Sequence, residues 1–519
     1  MSSPPIDRRR LLQVAAAAAT ASWLPRSAWA QQRLRDDPFT LGVASGSPTH
    51  DSVVLWTRLA SLDVRPATVR WEVAHDEQFN RIAQRGQAQA LPELAHSVHV
   101  EASGLEPDRW YFYRFMLGDA TSPVGRTRTF PAPEARVAKL RLAYASCQRW
   151  EHGYFGAYRH MVQEDLDTVL FLGDYIYEYP GATNGVRTPT GGWCQSLDDY
   201  RQRHALHRSE PEVRAMHAAC PWIVTWDDHE VQNDYAGLTA GDSGAAVPNF
   251  AARRAAAYQA FYEHMPVRAS ALTRAVAGLQ EGSEVRLYGE LRFGQLARFL
   301  VLDDRQYRDA QVCNRDGKLG SSYLDPATCA MWDDPKRTLL GAAQERWVDE
   351  AFSRGAGGWN VVAQQTIFGQ RDSKPGPGKS LWNDGWDGYS AARNRFTQTL
   401  QRREVRDLVM LGGDVHENWV GHVLADYDKP ASASLGVEFC GTSITSRSGG
   451  NARIPEKLAE NPHFVFADSV GKGYGVCEFT PGQLTTSLRV VDDVTRPDPR
   501  ISTLARFVVQ SGRPLVERA

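Results

Sequence analysis

Residues 168–178 have the sequence TVLFLGDYIYE, and the pattern in this stretch indicates how the chain folds. A short run of apolar residues, 168–172, is typical of a strand that is buried on both faces of a sheet. Gly173 and Asp174 follow the run directly, and a glycine at this position lets the backbone turn sharply. A buried strand that ends in a turn and a carboxylate is how α/β sheets present functional groups to a ligand.

The same pattern recurs along the chain. Helices are predicted at residues 197–219, with a break at Pro211, and at residues 251–264. Because apolar strands alternate with helices, the sequence predicts an α/β fold with buried sheets, whose strand ends meet at a common crevice. Further buried strands are predicted at residues 139–146, 222–226, 298–302, 359–363, 408–411 and 437–440.

Side chains that can bind a metal or transfer a proton follow five of these strands. Taken singly, each group fits an ordinary turn or core role, but five strand ends of one domain that all carry such groups indicate one site. In strand order, the candidates are Cys147; Asp174 and Tyr177; Asp228, His229 and Asn233; Gln364 and Gln365; and Asp414 and His416.

The types of ligand suggest which metals would bind. The tyrosine phenol has an ordinary pKa near 10 and is therefore protonated at neutral pH. To bind a metal as phenolate, Tyr177 beside Asp174 and Cys147 needs a strong Lewis acid such as Fe³⁺ rather than Mg²⁺. The other candidates are mainly oxygen donors, which favour a hard cation, and Ca²⁺ accepts mixed carboxylates and amides in irregular geometry. These are Asp228, Asn233, Gln365 and Asp414.

The motifs GDYIYEY, WDDHEVQND and GGDVHENW, in this order after a β-rich segment, resemble those of the PhoD-type alkaline phosphatases within the calcineurin-like metallophosphoesterase superfamily. The resemblance implies two mixed β-sheets packed as a sandwich with flanking helices, and an iron and calcium centre at the crevice. Relatives in the superfamily carry a Val-x-x-His pattern whose histidine corresponds to Gln365, which favours Gln365 over Gln364. Where those relatives have an amide or imidazole ligand, this chain has Asp228 and Asp414, which favours calcium over zinc. His416 is left with two roles, as an iron ligand or as a group that acts on the substrate.

These residues predict a metal-dependent phosphatase that hydrolyses phosphate esters. Asp174 would bridge the two kinds of metal, and a metal-bound hydroxide would attack phosphorus in line. His229, next to the ligand Asp228, would protonate the leaving alkoxide. Arg149 would contact the substrate phosphate, although an ordinary surface cation is an equal interpretation.

Three other functions fit parts of the pattern. A phosphodiesterase, including a phospholipase D-like hydrolase, could use the same metal centre. A secreted binding protein could hold the metals structurally and catalyse nothing. Cys147 could be a catalytic nucleophile, although this would need a base and an oxyanion site.

The N-terminus predicts export. Residues 7–12 (DRRRLL) match a twin-arginine signal, an alanine-rich stretch follows at 14–21, and residues 28–30 (AWA) form a cleavage site. We therefore expect a signal peptide over residues 1–30, cleaved after Ala30, that directs the protein through the twin-arginine machinery to the periplasm or the exterior. The alternative is a short buried N-terminal helix behind a basic cap.

Two domains are expected after the signal. Residues 38–132 contain short alternating strands separated by turns, which predicts a small all-β sandwich, and GLEPDRWYFYRF followed by GRTRTF resembles a fibronectin type III-like module. The proline-containing stretch at 131–136 predicts a boundary. Residues 137–519 would then form the catalytic domain, in which residues 502–516 have helical spacing and would be either a lid or an ordinary packed helix.

Composition excludes other classes of protein. The 519 residues include 59 basic and 61 acidic side chains, so a formal net charge of -2 gives no reason to expect nucleic acid as a bulk partner. No apolar run past residue 30 is long enough for a membrane-spanning helix, and we expect a monomer. The seven cysteines allow the pairs Cys313–Cys329, Cys194–Cys220 and Cys440–Cys477, with Cys147 left over as a metal ligand.

Overall fold

The computed structural model of the chain describes residue 34 and residues 36–60, 64–181, 184–189, 191–241, 248–272, 285–355 and 357–519. The predicted signal peptide, residues 1–30, lies outside the described residues. Over the ranges that are described, the helices are all too short or too polar to cross a membrane.

Strands dominate the described chain, and both of its large sheets mix parallel and antiparallel neighbours. In chain order the strands are β1 (Val43–Gly46), β2 (Ser52–Arg58), β3 (Ala67–Ala74), β4 (Ile82–Ala90), β5 (Ser97–Ser103), β6 (Trp110–Leu117), β7 (Ala120–Thr121), β8 (Gly125–Arg128), β9 (Leu140–Ala145), β10 (Thr168–Phe171), β11 (Trp222–Val224), β12 (Gly289–Phe293), β13 (Ala297–Val301), β14 (Tyr323–Leu324), β15 (Trp359–Ala363), β16 (Leu381–Trp382), β17 (Leu408–Gly412), β18 (Asn418–Leu424), β19 (Ser434–Cys440), β20 (Phe464–Asp468), β21 (Lys472–Phe479), β22 (Gln483–Val491), β23 (Ile501–Gln510) and β24 (Glu517–Arg518).

Two of the α-helices begin at start signals that are visible in the sequence. The side chain of Ser196 accepts from the backbone N–H of Asp199 in a capping box at the start of the first long helix. Pro211 occupies the first turn of the next helix, where its missing N–H costs nothing, and the predicted break is confirmed. The helices are α1 (Gly156–Met161), α2 (Leu197–Arg208), α3 (Pro211–Ala219), α4 (Phe250–His264), α5 (Gly341–Ser353), α6 (Ser390–Arg402) and α7 (Ile454–Glu460).

The first sheet has ten strands in the order β24-β23-β22-β21-β9-β10-β11-β1-β2-β5. At its centre β9, β10 and β11 run parallel, with Phe171 paired to Ala145 and Val224. The second sheet has seven strands in the order β12-β13-β15-β17-β19-β18-β20, and β13, β15, β17 and β19 are parallel. A smaller two-stranded sheet pairs β14 with β16.

One hydrophobic core lies between the two large sheets. Leu170 of the first sheet and Val409 of the second belong to this core. The neighbours of Leu170 in β10, Val169 and Phe171, point to the opposite face and pack with α1 to α4. Helices α5 and α6 cover the outer face of the second sheet. The apolar run at β10 is thus explained by burial on both faces, and the fold is mixed α/β as predicted.

The N-terminal segment is built of strands but is not separate from the rest of the chain. Strands β3, β4, β6, β7 and β8 form a five-stranded sheet, whereas β1, β2 and β5 continue the ten-stranded sheet beyond β11. The junction is a parallel pairing of Gly46 with Trp222. A Cβ added at Gly46 would lie 2.6 Å from the carbonyl oxygens of Trp222 and Pro266, so only glycine fits there.

The helix predicted over residues 502–516 is wrong. Residues 501–510 form β23, an antiparallel neighbour of β22. Ala505, Phe507 and Val509 are buried in the core between the sheets, while Arg506 is exposed and Val508 only half-buried. The segment therefore follows a period of two, and it belongs to a sheet rather than to a lid.

Among the cysteines, one predicted pair is confirmed and two are wrong. Cys313 and Cys329 form a disulfide with Cα atoms 5.9 Å apart. The thiols of Cys194, Cys220, Cys440 and Cys477 are free and buried. Cys440 Sγ lies 3.3 Å from the Gly413 carbonyl, and Cys477 Sγ lies 3.5 Å from Thr486 Oγ1. Each of these two thiols therefore contacts a polar group instead of another thiol.

The disulfide should stabilise the long connection between β13 and α5. Replacing Cys313 and Cys329 together with serine should lower the free energy of unfolding by about 3 kcal/mol, because the bridge closes a loop of 16 residues. Urea unfolding of the oxidised protein and of the double variant measures the difference. Dithiothreitol should destabilise the wild-type protein alone; if it destabilised the double variant equally, the disulfide would not be the cause.

Candidate metal centre

The candidate groups lie at the carboxyl ends of the parallel strands of both large sheets. The loops after β9, β10 and β11 carry those of the first sheet, and the loops after β15 and β17 carry those of the second. Gly173, with φ +110°, brings two of these loops together, since an added Cβ would lie 2.4 Å from Asp227 Cβ. The positive φ of this glycine makes the sharp turn that the sequence predicted, and the absence of a side chain allows the two loops to approach closely.

Unusual backbone conformations are concentrated in these loops. Cys147 (φ 60°), Asp174 (φ 56°), Asp414 (φ 65°) and His416 (φ 58°) are all in the left-handed region. Non-glycine residues are uncommon there, and they cluster at functional sites where the surrounding structure holds them. The backbone N–H of Cys147 donates to the Gly173 carbonyl at 3.1 Å, which ties two of these loops together.

A first cluster contains a thiol, a carboxylate, an imidazole and a phenol. The Sγ of Cys147, a carboxylate oxygen of Asp174 and a ring nitrogen of His416 lie within 4.8 Å of one another. The Tyr177 hydroxyl is 2.8 Å from Asp174 Oδ2 and 3.1 Å from His416 Nε2. Ser446 donates to the same hydroxyl at 2.7 Å. The structure thus brings four predicted metal ligands together.

Asp174 is shared by this cluster and by two others. Its carboxylate also lies within 4.8 Å of ligand atoms of Asp228 and His229, and of Asp227 and Asp414. A carboxylate common to adjacent groups of donors is placed as a bridging ligand would be. Asp174, Asp228 and His229 are buried, and Asp414 is partly exposed.

The donor set fits metal ions. Burial raises the pKa of the Cys147 thiol and of the Tyr177 phenol well above their ordinary values, and the charge of Asp174 raises both further. A bound cation would reverse this effect. Asp174 Oδ1 and Asp228 Oδ1 are buried and accept no hydrogen bond within the described ranges, and unsatisfied carboxylate oxygens of this kind call for an ion.

The site also contains a buried cation that was not among the predicted site residues. The guanidinium of Arg305 donates to Asp227 through Nε and to Asp384 through Nη1 at 2.5 Å. It also lies 3.8 Å from Asp228 and 3.7 Å from Asp414. A paired arginine offsets part of the cost of burying several carboxylates. The signal that could have identified Arg305 is its position, three residues after the predicted strand at 298–302.

Asp384 follows β16, a strand of only two residues, which is too short to leave a pattern in the sequence. Ligand oxygens of Asp228, Asp234 and Asp384 lie within 4.8 Å of one another. Neighbouring Asn233 is half-buried, and its backbone N–H donates to Glu178 at 2.8 Å. The structure therefore adds two carboxylates beside the predicted ligand Asp228.

Gln365 lies on the second sheet at the end of β15. Its amide nitrogen donates to Thr225 Oγ1 at 2.8 Å and to the Leu302 carbonyl at 2.9 Å. Its amide oxygen accepts from the backbone N–H of Asp304 at 3.3 Å. Gln365 thus joins the two sheets below the site, and its role as a metal ligand stays a prediction. Gln364 accepts from the Trp386 indole at 3.1 Å.

His229 is oriented by a carboxylate. Its Nδ1 lies 2.7 Å from Glu178 Oε2, and its ring packs against Tyr177 with centroids 4.1 Å apart. Burial alone would lower the pKa of the imidazole, but the charges of Asp174, Asp228 and Glu178 hold that pKa well above its usual value. With Nδ1 held by Glu178, Nε2 is the nitrogen left to act on a ligand.

Arg149 lies at the same edge and is partly exposed. Its Nε donates to Glu151 at 2.7 Å, and its guanidinium stacks over the Tyr179 ring, 4.7 Å from the centroid. Its distance to the Tyr177 ring centroid is 5.5 Å. The cation is therefore fixed next to the first cluster. Contact with the substrate phosphate and the role of an ordinary surface cation both stay predictions.

Comparisons with known proteins agree on one family. Residues 142–488 match the PhoD-like phosphatase family model, and residues 25–131 match the model of the PhoD-like phosphatase N-terminal domain. Alkaline phosphatase D of Bacillus subtilis is 46% identical over 488 residues, which cover 91% of this chain and 81% of that protein. The solved structure of PhoD superposes with a TM-score of 0.87 at 44% identity, covering 94% of this chain and 93% of that one. The chain therefore belongs to the PhoD-like phosphatase family and is a phosphoric ester hydrolase.

Proposed function

We propose that the protein is a secreted alkaline phosphatase of the D type that hydrolyses phosphate esters at an iron and calcium centre. The observation that carries this proposal is the convergence of thiol, phenol, imidazole and carboxylate groups around the single carboxylate of Asp174. The two facing mixed sheets with one shared core support a metallophosphoesterase fold for residues 137–519.

The proposed ligands divide by chemistry into two sets. Cys147, Tyr177 and His416 would hold Fe³⁺ with Asp174, since thiolate and phenolate suit a strong Lewis acid. Oxygen donors on the other side of Asp174 would hold Ca²⁺. These are Asp228, Asn233, Gln365 and Asp414.

When bound, the ions supply positive charge for the phosphoryl oxygens and lower the pKa of water that attacks phosphorus. The chain supplies the remaining steps. His229 donates a proton from Nε2 to the oxygen of the leaving alcohol, while Glu178 holds Nδ1 and keeps the ring in position. Arg149 contacts the phosphate, with its orientation set by Glu151 and the Tyr179 ring.

Secretion rests on the sequence of the first thirty residues. The twin-arginine pattern at 7–12 and the cleavage site at 28–30 support export by the twin-arginine machinery to the periplasm or the exterior. The protein would act as a monomer with the N-terminal β-segment, residues 38–132, attached.

Metal content and colour test the proposed centre. Protein purified without added metal should contain iron and calcium and should show a visible absorption band from phenolate or thiolate bound to iron. Tyr177→Phe and Cys147→Ser should weaken or shift this band. Tyr179→Phe is the matched control, because its phenol lies beside the site but is not a proposed ligand. A colourless wild-type protein that carries only zinc would contradict the assignment.

A further inference from the structure

A cavity of about 300 Å³ lies beside the candidate metal centre and has no part in the mechanism above. Three cationic side chains line it, those of Arg315, Arg453 and Lys457, together with the carboxylate of Glu417 and the ring of Tyr323. A cavity with an excess of cations next to a phosphatase site suggests a second anionic group on the substrate.

Two residues of the cavity lining are close in sequence to residues of the first cluster. Glu417 in its lining is the residue after His416. The loop after β19 carries Ser446, which donates to the Tyr177 hydroxyl, and three residues later Gly449 lines the cavity. Three residues span at most about 10 Å, so the cavity and the cluster are within reach of one small substrate.

The negative charge in the cavity is already compensated. Glu417 lies 3.0 Å from Arg371 Nη1 and 3.5 Å from Lys457 Nζ. It also accepts from the Trp419 indole at 2.8 Å and from the Ser469 hydroxyl at 2.9 Å. The carboxylate is buried and fully engaged, and the remaining cations of the cavity are therefore available to a ligand.

The two arginines are the available cations. The Arg315 guanidinium is exposed and forms no salt bridge within the described ranges. Arg453 lies 3.3 Å from Glu456 in a pair whose side chains are both more than half exposed, and such pairs are weak. One Nη2 hydrogen bond, to the Ser373 carbonyl at 3.1 Å, leaves the other N–H groups of the guanidinium for a ligand. A phosphate group would give both guanidinium groups a dianionic partner with matching geometry.

Two separate parts of the chain contribute these cations to the lining. Arg315 and Tyr323 belong to the connection that the Cys313–Cys329 disulfide closes. Arg453 directly precedes α7, and Lys457 lies within this helix. The two segments are thus held independently, one by a covalent bridge and the other by a helix.

We propose that this cavity is a subsite for a second phosphate group, carried on the organic part of the ester that is hydrolysed. The preferred substrates are then bisphosphates rather than esters that carry a single phosphate. The inference rests on the proposed phosphatase function, because it assumes that the first phosphate is bound at the metal centre.

Matched substrates test the subsite. Initial rates should be compared for butane-1,4-diol bisphosphate and butane-1,4-diol monophosphate, and for the corresponding hexane-1,6-diol pair. With at least one spacer, the wild-type kcat/KM for the bisphosphate should exceed that for the monophosphate by about tenfold or more, beyond the roughly twofold advantage of two identical esters.

Variants then assign the preference to the cavity. Arg315→Gln combined with Arg453→Gln should lower kcat/KM for the bisphosphate about tenfold and change that for the monophosphate less than about twofold. The matched control is Arg354→Gln, another exposed arginine, which pairs with Glu290 away from the cavity. Equal losses on both substrates, or no preference in the wild-type protein with either spacer, would overturn the subsite. Failure to hydrolyse any of these esters would instead contradict the proposed function.

Discussion

Asp174→Asn should lower kcat/KM for p-nitrophenyl phosphate by at least about a thousandfold, because metal ions contribute several kcal/mol to the transition state. Asp174 lies in three of the donor groups at the site, so its loss should affect the sites of both proposed ions. The substitution keeps the shape of the side chain and removes its charge. Activity and elemental analysis of the purified variant should therefore fall together.

Stability separates this effect from misfolding. Burial raises the pKa of the Asp174 carboxyl, so the charged form is costly in the metal-free protein. The metal-free Asp174→Asn variant should consequently unfold at the same or a higher denaturant concentration than the metal-free wild type. The control variant is Asp349→Asn, whose carboxylate pairs with Arg402 and Arg403 at the surface. An Asp174 variant that kept full activity and full metal content would refute the bridging role.

His229→Gln should have an effect that depends on the leaving group. Hydrolysis of an alkyl phosphate needs a proton on the departing alkoxide, so kcat should fall by about a hundredfold or more. p-Nitrophenolate leaves without a proton, and its kcat should fall less than about tenfold. Steady-state rates on the two substrates, measured with the same enzyme preparation, give the ratio directly.

Two further variants sharpen the test of His229. Glu178→Gln should show the same dependence on the leaving group with a smaller loss, since Glu178 holds Nδ1 of His229 at 2.7 Å. His160→Gln is the control, because within the described residues the side chain of His160 hydrogen-bonds only to the Pro499 carbonyl. Equal losses on alkyl and aryl phosphates would exclude His229 as the proton donor.

The central strands could be predicted from the sequence because a strand that is buried on both faces appears as a short continuous run of apolar residues. β10 is buried at every position and apolar from Val169 to Phe171, because one face packs on helices and the other on the second sheet. Residues 501–510 contain no such continuous run, and their apolar positions fit a helical period as well as a strand period. Only the pairing of this segment with β22 decides between a helix and a strand.

The candidate site could be predicted in part for a similar reason. Cys147, Asp174 and Asp414 follow buried strands closely, so strand topology alone brings them to one crevice. Asp384 lies in a loop whose position depends on contacts with Arg305 and Arg308, which no local pattern encodes. The wrong cysteine pairs have the same origin, because spacing along the chain does not fix the distance between thiols.

Removing residues 1–136 would leave the ten-stranded sheet with an open edge at β11. β11 would lose β1 as its neighbour, and an uncovered apolar strand invites association with other chains. α4 would also lose support, since Trp56 of β2 donates to the Glu263 carbonyl at 3.1 Å. The N-terminal segment could therefore not be exchanged between relatives as an independent cassette, and the two parts of the chain would have to evolve, and be engineered, as one piece.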